Sequence, residues 1–344
     1  MKKRMLSVML TVMLGISLLL GGCGSEEKGS EEGAQAEEGS EEMTSIRISA
    51  INAVSWAPVF VAQSEGFFEE QGLEVEFTTP GGPKGFQAMQ AGDCEFSMLS
   101  QEPLLIAQEQ GMESSIIAAM LETRVYGLIA TKDITDVTQL KGKTVFGSDA
   151  GSAPYTFVSN VLTLAGMDPL KDVEFVQVSD NNAGLQAFLN GEVDAAFVNM
   201  YTLPVAGDFE YNVLADTTDP EQCEKYLGSA EFPGEMLCAT TAYVKENPEI
   251  CQKVVNAVID AQAWIAEHSD DEVAASLEPV FGDLDREVIA AQIELIREKY
   301  AADCMVTETG QQAVIDMCVD AGIISEEIPY DEIIDMSFVE NYGK

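Results

Sequence analysis

The chain has 344 residues, with 59 Asp and Glu against 18 Lys and Arg, and a formal net charge of −41 at pH 7. This charge disfavours electrostatic binding to nucleic acid or to an anionic membrane surface, so no nucleic-acid partner is predicted. The only histidine is His268, which excludes a histidine-dependent catalytic triad and a histidine-rich metal site. We therefore predict no cofactor and no metal.

The N-terminus has the features of an export signal. A basic start at 1–4 precedes an apolar run over 5–20, shorter than the roughly 20 residues of a membrane-spanning helix. The run ends in Leu-Gly-Gly-Cys at 20–23, which resembles the bacterial lipoprotein box, where cleavage leaves a lipid-carrying cysteine. We predict a lipoprotein signal peptide over 1–22 and lipidation of Cys23; an ordinary signal followed by a chance cysteine is the alternative.

Residues 23–43 form an acidic segment of Glu, Gly and Ser with almost no large apolar side chain. Such a segment buries too little apolar surface to offset its chain entropy, so we predict a disordered tether. The protein is then expected on the extracytoplasmic face of the cell membrane, held there by its lipid anchor. The roughly 300 residues that remain are more typical of two lobes than of one.

Three strand-to-helix turns open the folded region. An alternating strand at 46–50 leads to a helix that begins near Pro58, and proline suits this position because its missing N–H would have no partner there. The same pattern recurs after strands at 73–77 and 94–99. In one parallel sheet these turns share a rim, and such rims are where open α/β sheets bind small ligands.

Short motifs along the chain carry a family resemblance. They are Trp56-Ala57-Pro58, Gly66-Phe67-Phe68, Gly72-Leu73-Glu74-Val75-Glu76, Gly81-Gly82, the segment 140–145, Gly151-Ser152 and the segment 191–196. Their order and spacing resemble the substrate-binding proteins of nitrate, sulfonate, taurine and thiamine-precursor ABC importers, over almost the whole chain after residue 44. The resemblance implies an α/β, two-lobed periplasmic-binding-protein-like fold of type II, with two parallel-rich sheets flanked by helices. It also implies an ABC permease and its cytoplasmic ATPase as partners.

The chain is predicted to cross between the lobes twice. Strands near 125–131 and 235–243 are the predicted crossings, and together they form a two-strand hinge that allows the lobes to close on a ligand. Lobe I is then predicted to comprise 44–128 plus 236–344, and lobe II to comprise 129–235.

The second lobe is predicted to repeat the turn pattern of the first. Ser152 and Pro154 stand before a helix in the same way as Ser55 and Pro58. Each helix start offers unpaired backbone N–H groups and the positive end of a helix dipole. Two such starts facing each other would hold an anionic or polar group without an arginine. The alternative is that serine and proline simply begin helices here.

Candidate substrate-binding residues lie at these turns. They are Asn52, Trp56, Gly82, Gln101, Glu102, Gly151, Ser152, Tyr155, Asn199 and Tyr201. Trp56 is predicted to form one wall of the cleft, and Tyr155 and Tyr201 the other. Ser152 and the Gly151 backbone would donate to an acidic group, whereas Gln101 and Glu102 would accept from an amine or ring N–H; Asn52 and Asn199 would orient the ligand.

Each of these assignments has a structural alternative. Trp56 would instead be a core residue, the two tyrosines would serve packing only, and Glu102 would be a carboxylate favoured by the dipole of its helix. Arg124 is the only arginine near the predicted hinge and is interpreted as a structural ion-pair partner. Six cysteines besides Cys23 would permit disulfides, but Cys94 and Cys238 lie in predicted strands and are interpreted as buried free thiols.

The predicted function is that of a monomeric, lipid-anchored solute-binding protein, not an enzyme. A sulfonate-like anion would use the two helix starts, and a pyrimidine-like or amine-bearing solute would use Trp56, the tyrosines and Glu102. The second is favoured because Glu102 would repel an anion. One alternative is an exported relative of a pyrimidine-forming enzyme, although that enzyme's cysteine-rich motif and active-site histidine are missing. Another is a ligand-sensing module for a membrane receptor.

Overall fold

The computed structural model describes residues 43–344 except residues 80, 179 and 283. The predicted signal peptide, Cys23 and the tether up to residue 42 lie outside the described residues. None of the helices in the described part of the chain is long and apolar enough to cross a membrane.

The first sheet has five strands in the order β2-β1-β3-β10-β4. Their bounds are β1 Thr44–Ser49, β2 Leu73–Thr78, β3 Phe96–Leu99, β4 Ser114–Leu121 and β10 Gly234–Thr240. β1 lies parallel to β2 and β3, whereas β10 lies antiparallel to β3 and β4. The parallel arrangement brings the ends of β1, β2 and β3 to one edge, so the predicted rim is confirmed.

The second sheet also has five strands, in the order β7-β6-β8-β5-β9. Their bounds are β5 Tyr126–Thr131, β6 Lys143–Phe146, β7 Val173–Val176, β8 Ala195–Asn199 and β9 Tyr211–Asp216. β6 lies parallel to β7 and β8, and β5 lies antiparallel to β8 and β9. Two mixed sheets with helices around them confirm the predicted two-lobed α/β fold. We call the first sheet with its helices lobe I and the second sheet with its helices lobe II.

The helices follow the strands as the sequence predicted. They are α1 Ala57–Ser64, α2 Phe67–Glu70, α3 Gly82–Ala91, α4 Glu102–Glu109, α5 Ala153–Leu164, α6 Asn181–Leu189, α7 Pro220–Leu227, α8 Thr241–Glu246, α9 Pro248–Glu267, α10 Asp270–Leu277, α11 Arg286–Ile296, α12 Glu308–Asp320, α13 Tyr330–Ile333 and α14 Ser337–Glu340. Short 3₁₀ turns occupy Val54–Trp56, Val137–Leu140, Met200–Val205 and Arg297–Lys299. Pro58 and Pro154 lie in the first turns of α1 and α5, and the Ser152 side chain caps α5.

The chain passes from lobe I to lobe II over residues 122–125, between the end of β4 and the start of β5. This crossing precedes the predicted boundary at 128/129, because the residues from Tyr126 onward already pair with β8 and β9. The return runs through Phe232 into β10, and Phe232 forms an isolated bridge with Thr123. The two crossing segments therefore lie side by side, which is the expected form of a hinge.

The cysteines serve packing in this fold. All six cysteines in the described part of the chain are free and buried, so none of them forms a disulfide. The prediction for Cys94 and Cys238 is confirmed. Cys238 lies in β10, and its thiol donates to the Ser97 carbonyl oxygen at 3.4 Å. Such thiols behave as small apolar side chains inside the core.

Candidate functional site

The rims of the two sheets lie against each other. On the first rim the turn Val54–Trp56 follows β1, and the Tyr300 hydroxyl donates a hydrogen bond of 2.7 Å to the Val54 carbonyl oxygen. On the second rim the loop after β6 approaches α4 so closely that a Cβ added to Gly151 would lie 3.2 Å from Cδ1 of Ile106. The region where the two rims face each other is the candidate site, and we call it the cleft.

Polar side chains from both lobes meet where the cleft reaches the crossing segments. They are Ser55, Glu102, Arg124, Tyr201 and Glu235, and we call them the hinge cluster. Ser55 interacts by side-chain hydrogen bonds with both the Tyr201 hydroxyl and the Glu235 carboxyl. Because Ser55 belongs to lobe I and Tyr201 to lobe II, the cluster connects the two lobes.

Arg124 and Glu102 form a buried ion pair within the hinge cluster. The two terminal nitrogens of the guanidinium contact the two carboxylate oxygens at 2.5 and 3.2 Å, and the side chains are 1% and 0% exposed. Burial by itself lowers the pKa of Arg124, but the facing Glu102 carboxylate and Tyr126 outweigh it, so the net pKa is raised. The guanidinium also lies over the Phe232 ring, 4.9 Å from its centroid. Arg124 is thus a structural ion-pair partner, as the sequence predicted, and its charge is already compensated.

Glu235 is a second carboxylate in the hinge cluster, and it has no such partner. Burial raises the pKa of Glu235 to about 7, against the lowering effects of the Arg124 charge and the Ser55 hydrogen bond. Its backbone φ is 59°, in the left-handed region that non-glycine residues rarely occupy. Strained positions of this kind concentrate at functional sites, which makes Glu235 a candidate binding residue.

Two buried tyrosines lie close to the first crossing segment, where β5 begins and β8 ends. Tyr201 is 4% exposed and Tyr126 is 5% exposed, and burial raises the pKa of both hydroxyls above the usual range. The Tyr126 ring packs edge-on against Phe157 and Phe197, with centroid distances of 5.7 and 4.9 Å. Both tyrosines therefore stay neutral hydrogen-bonding groups, and Tyr126 is held by two aromatic neighbours.

The predicted residues of lobe I occupy different environments. Trp56 is 1% exposed and lies in the hydrophobic core, so the core alternative describes its place in this structure. Asn52 is exposed, and Gly82 is buried at the start of α3 with φ at 63°. Gln101 is 0% exposed, and neither polar atom of its amide has a hydrogen-bond partner among the described residues. Glu102 is engaged by Arg124 and is not free to repel an anion.

The predicted residues of lobe II line its rim. Ser152 accepts from the Tyr155 N–H at 3.4 Å and donates to the Asp149 carbonyl oxygen at 2.6 Å, so its hydroxyl is used within the turn. The Tyr155 ring is half-buried and lies 4.7 Å from the Phe175 ring. Asn199 precedes the 3₁₀ turn that carries Tyr201. The structure brings Tyr201 into the hinge cluster; contact of the other residues, and of Gly151, with a solute remains a prediction.

Glu235 is absent from the residues predicted from the sequence, although the sequence carries a signal for it. Glu235 stands between Gly234 and an apolar run in β10, where every following residue up to Ala239 is fully buried. A single charged residue at the start of such a strand is costly to bury unless it has a partner or a function. The sequence alone shows that Glu235 is a charged exception at the start of an apolar strand.

The fold and the cleft define the class of two-lobed, periplasmic-binding-protein-like proteins. Residues 53–272 match the family described as NMT1/THI5 like, and the chain belongs to this family. Similar proteins include the putative binding protein YtlA of Bacillus subtilis, 27% identical over 87% of this chain and 90% of that protein. The putative aliphatic sulfonates-binding protein of the same organism is 25% identical over 96% of this chain and 95% of that protein.

Solved structures carry the same fold. The alkanesulfonate-binding protein SsuA from Xanthomonas axonopodis pv. citri, bound to MOPS, superposes with a TM-score of 0.67 at 19% identity, over 86% of this chain and 99% of that chain. The relatives also include fungal 4-amino-5-hydroxymethyl-2-methylpyrimidine phosphate synthases, which match over about 60% of this chain. The binding proteins match over more of the chain than these enzymes, and this supports a solute-binding role.

Proposed function

We propose that this protein is the extracytoplasmic, lipid-anchored solute-binding component of an ABC importer. It captures a small organic solute in the cleft and delivers the closed form to a membrane permease, which a cytoplasmic ATPase drives. The protein acts as a monomer, because the cleft is formed by the two lobes of one chain.

The observation that carries this proposal is the hinge cluster between the two rims. It places the buried Arg124, whose Nε has no hydrogen-bond partner among the described residues, and the Glu235 carboxyl at the point where the lobes meet and where the chain crosses between them. A buried polar group without a partner is unfavourable, and a ligand that satisfies it stabilises the closed form. Binding is thereby linked to closure, which is the signal that a permease can recognise.

The direct test identifies the solute and its effect on shape. The full chain is purified in detergent, and small molecules released on unfolding are identified by mass spectrometry. We expect a stoichiometric organic solute that raises the thermal unfolding midpoint and reduces the radius of gyration when added back to the emptied protein. If no solute in a broad panel changes either quantity, the proposal is wrong.

The membrane anchor is tested separately at Cys23. A Cys23→Ala chain should lose incorporation of labelled fatty acid and leave the membrane fraction, because one cysteine carries all the predicted lipid. Solute binding should be unchanged, since none of the residues that define the hinge cluster lies in the N-terminal segment that carries Cys23. Retention of the variant on the membrane would contradict lipid anchoring and leave the binding role intact.

An enzymatic role is the second candidate, because the fungal synthases are relatives. The single histidine does not join the hinge cluster: His268 stacks on Trp264 at 3.9 Å, at the C-terminal end of α9. Incubation of the protein with pyrimidine precursors, followed by mass spectrometry of the protein and the solution, separates the two roles. Turnover or covalent modification would establish the enzyme, and we expect neither.

A further inference from the structure

We propose that Glu235 recognises the solute, and that the solute presents a protonated amine or amidine-type group to this carboxylate. The proposal rests on the proposed function, because it names the chemical class that the cleft selects. Glu235 is suited to this role because its carboxyl interacts with both Ser55 of lobe I and the Arg124 guanidinium of the first crossing segment. A solute held there contacts groups that move relative to each other when the lobes close.

The backbone at Glu235 indicates that its side chain is needed. Its φ is 59°, a value that glycine adopts without strain and glutamate does not. The neighbours hold it in place: Met236 is fully buried and pairs with Leu99 and Ala119 in the sheet. Gly234 is packed so tightly that an added Cβ would lie 2.9 Å from Cγ of Arg124. Glycine would avoid the strain at this position but has no side chain, so we infer that the carboxylate of Glu235 is what the position requires.

The charges of the hinge cluster do not balance without a ligand. Arg124 directs both terminal nitrogens at Glu102, so these two charges cancel. Ionised Glu235 then leaves one negative charge, and no cation other than Arg124 acts on it among the described residues. An anionic solute would add repulsion in a region of low dielectric, whereas a cation would neutralise the carboxylate.

The surroundings offer hydrogen-bond acceptors that fit a cationic nitrogen group. Such a group donates several N–H bonds, and the Ser55 and Tyr201 hydroxyls lie beside Glu235 as further acceptors. The buried hydroxyls of Tyr126 and Tyr201 also interact electrostatically with the same carboxylate, and the Tyr126 ring already lies under the Arg124 guanidinium, 5.6 Å from its centroid. Gln101, beside Glu102, has an amide oxygen and an amide nitrogen that are both buried without a partner in the described part of the chain, as is Nε of Arg124, so the cluster holds unpaired donors as well as an unpaired acceptor.

The charge state of Glu235 links binding to pH. A bound cation favours the ionised carboxylate, and the empty protein protonates it near neutral pH, since burial raises the pKa of Glu235 to about 7. The facing groups keep their state in this range: the pKa of Arg124 is raised by its pairing with Glu102, and burial raises those of Tyr126 and Tyr201. Affinity for a cationic solute should therefore fall as the pH drops through 7.

The experiment compares cationic and anionic probes on the full chain in detergent. The cations are acetamidine, benzamidine, agmatine and cadaverine, and the anions are ethanesulfonate, butanesulfonate and benzenesulfonate. Binding is measured by calorimetry and by the shift in unfolding midpoint. Glu235→Gln removes the charge at nearly constant shape, and Glu122→Gln is the matched control, because Glu122 is an exposed carboxylate in the first crossing segment.

We expect at least one cation to bind, with affinity reduced at least about tenfold in Glu235→Gln and unchanged in Glu122→Gln, since hydrogen bonds to charged groups are the strong ones. The pH dependence should disappear in Glu235→Gln. The unfolding midpoint of the empty Glu235→Gln protein should not fall, which excludes misfolding as the cause.

Other outcomes overturn the proposal. Cation binding that survives Glu235→Gln unchanged would remove Glu235 from recognition. Binding of a sulfonate with no cation bound would overturn the solute class and leave the proposed function standing. Binding of neither class would overturn the selection for cations, and failure of the broad solute panel as well would remove the proposed function.

Discussion

The start of α4 and the start of β10 each place a glutamate in the hinge cluster, and the two carboxylates have opposite surroundings. Glu102 is fully buried and held by both terminal nitrogens of Arg124. Glu235 has a hydroxyl partner, a strained backbone and a pKa raised by burial to about 7. A buried charge with a dedicated partner is part of the architecture, whereas the half-buried Glu235, which has no ion-pair partner of its own, is the carboxylate that we propose for a ligand.

The strongest test of this comparison breaks the ion pair. Arg124→Gln leaves the Glu102 carboxylate buried without a counter-charge, so we expect a loss of about 3 to 5 kcal/mol in the free energy of unfolding. Urea unfolding measures it. The control is Arg47→Gln, since the Arg47–Glu95 pair is 40% and 22% exposed and exposed pairs contribute about 1 kcal/mol or less. Equal losses in both variants would show that the buried pair is not structural.

The second prediction concerns the pH dependence of stability. The folded-state pKa of Glu235 is raised from the unfolded value of 4.5 to about 7, so the folded protein binds more protons between these values. Stability should therefore decrease as pH rises from about 4.5 to 7, by on the order of 2 to 3 kcal/mol relative to Glu235→Gln. Urea midpoints of both proteins across this range measure the difference. Parallel pH profiles would mean that Glu235 does not titrate in this window.

A third prediction probes the packing that positions Glu235. In Gly234→Ala the new Cβ would lie 2.9 Å from Cγ of Arg124, a side chain held at its far end by Glu102. The side chain cannot move freely, so we expect a loss of about 2 kcal/mol in unfolding free energy. The control is Gly282→Ala, since an added Cβ there would meet only the Glu278 carbonyl oxygen at 3.8 Å. Gly228→Ala is not a suitable control, because Gly228 has a positive φ. A loss no larger than the control's would contradict the tight approach.

The smallest expected effect is at the hydroxyl that connects the lobes. Ser55→Ala removes the hydrogen bond that lowers the pKa of Glu235, so that pKa should rise further, with a stability change of about 1 kcal/mol or less. The midpoint of the pH dependence of cation binding reports the pKa directly. Ser45→Ala is the control, because the Ser45 hydroxyl donates to Glu74 on the exposed surface. An unmoved midpoint would remove Ser55 from the hinge cluster.

Much of the fold was predictable because it follows from local patterns. Alternating apolar residues predicted β1 and β2, and prolines after strands predicted the starts of α1 and α5. The predicted boundary between the lobes lies too late in the chain. The residues of β5 predict a strand, but their sequence does not indicate which of the two sheets the strand joins. Only its pairing with β8 and β9 assigns Tyr126 to lobe II, and strand pairing joins residues distant in sequence.

The candidate site was predictable only as a set of turns. The role of Arg124 followed from its isolation near the hinge, but the Trp56 indole turns into the core instead of standing open at the rim. Glu102 was chosen for its charge, yet the partner that cancels this charge lies on another element. Sequence places a residue at a rim, and the packing of neighbouring elements decides where its side chain goes.

The sequence by itself therefore determined the order of strands and helices, the two-lobed class and the rims, because these depend on periodicity, turn chemistry and motif order. The tertiary structure alone decided which glutamate is compensated by Arg124 and which is not. That difference arises where Ser55, Arg124, Tyr201 and Glu235 meet from separate parts of the chain. The electrostatic energy of a buried charge depends on its neighbours in space, and no local pattern encodes them.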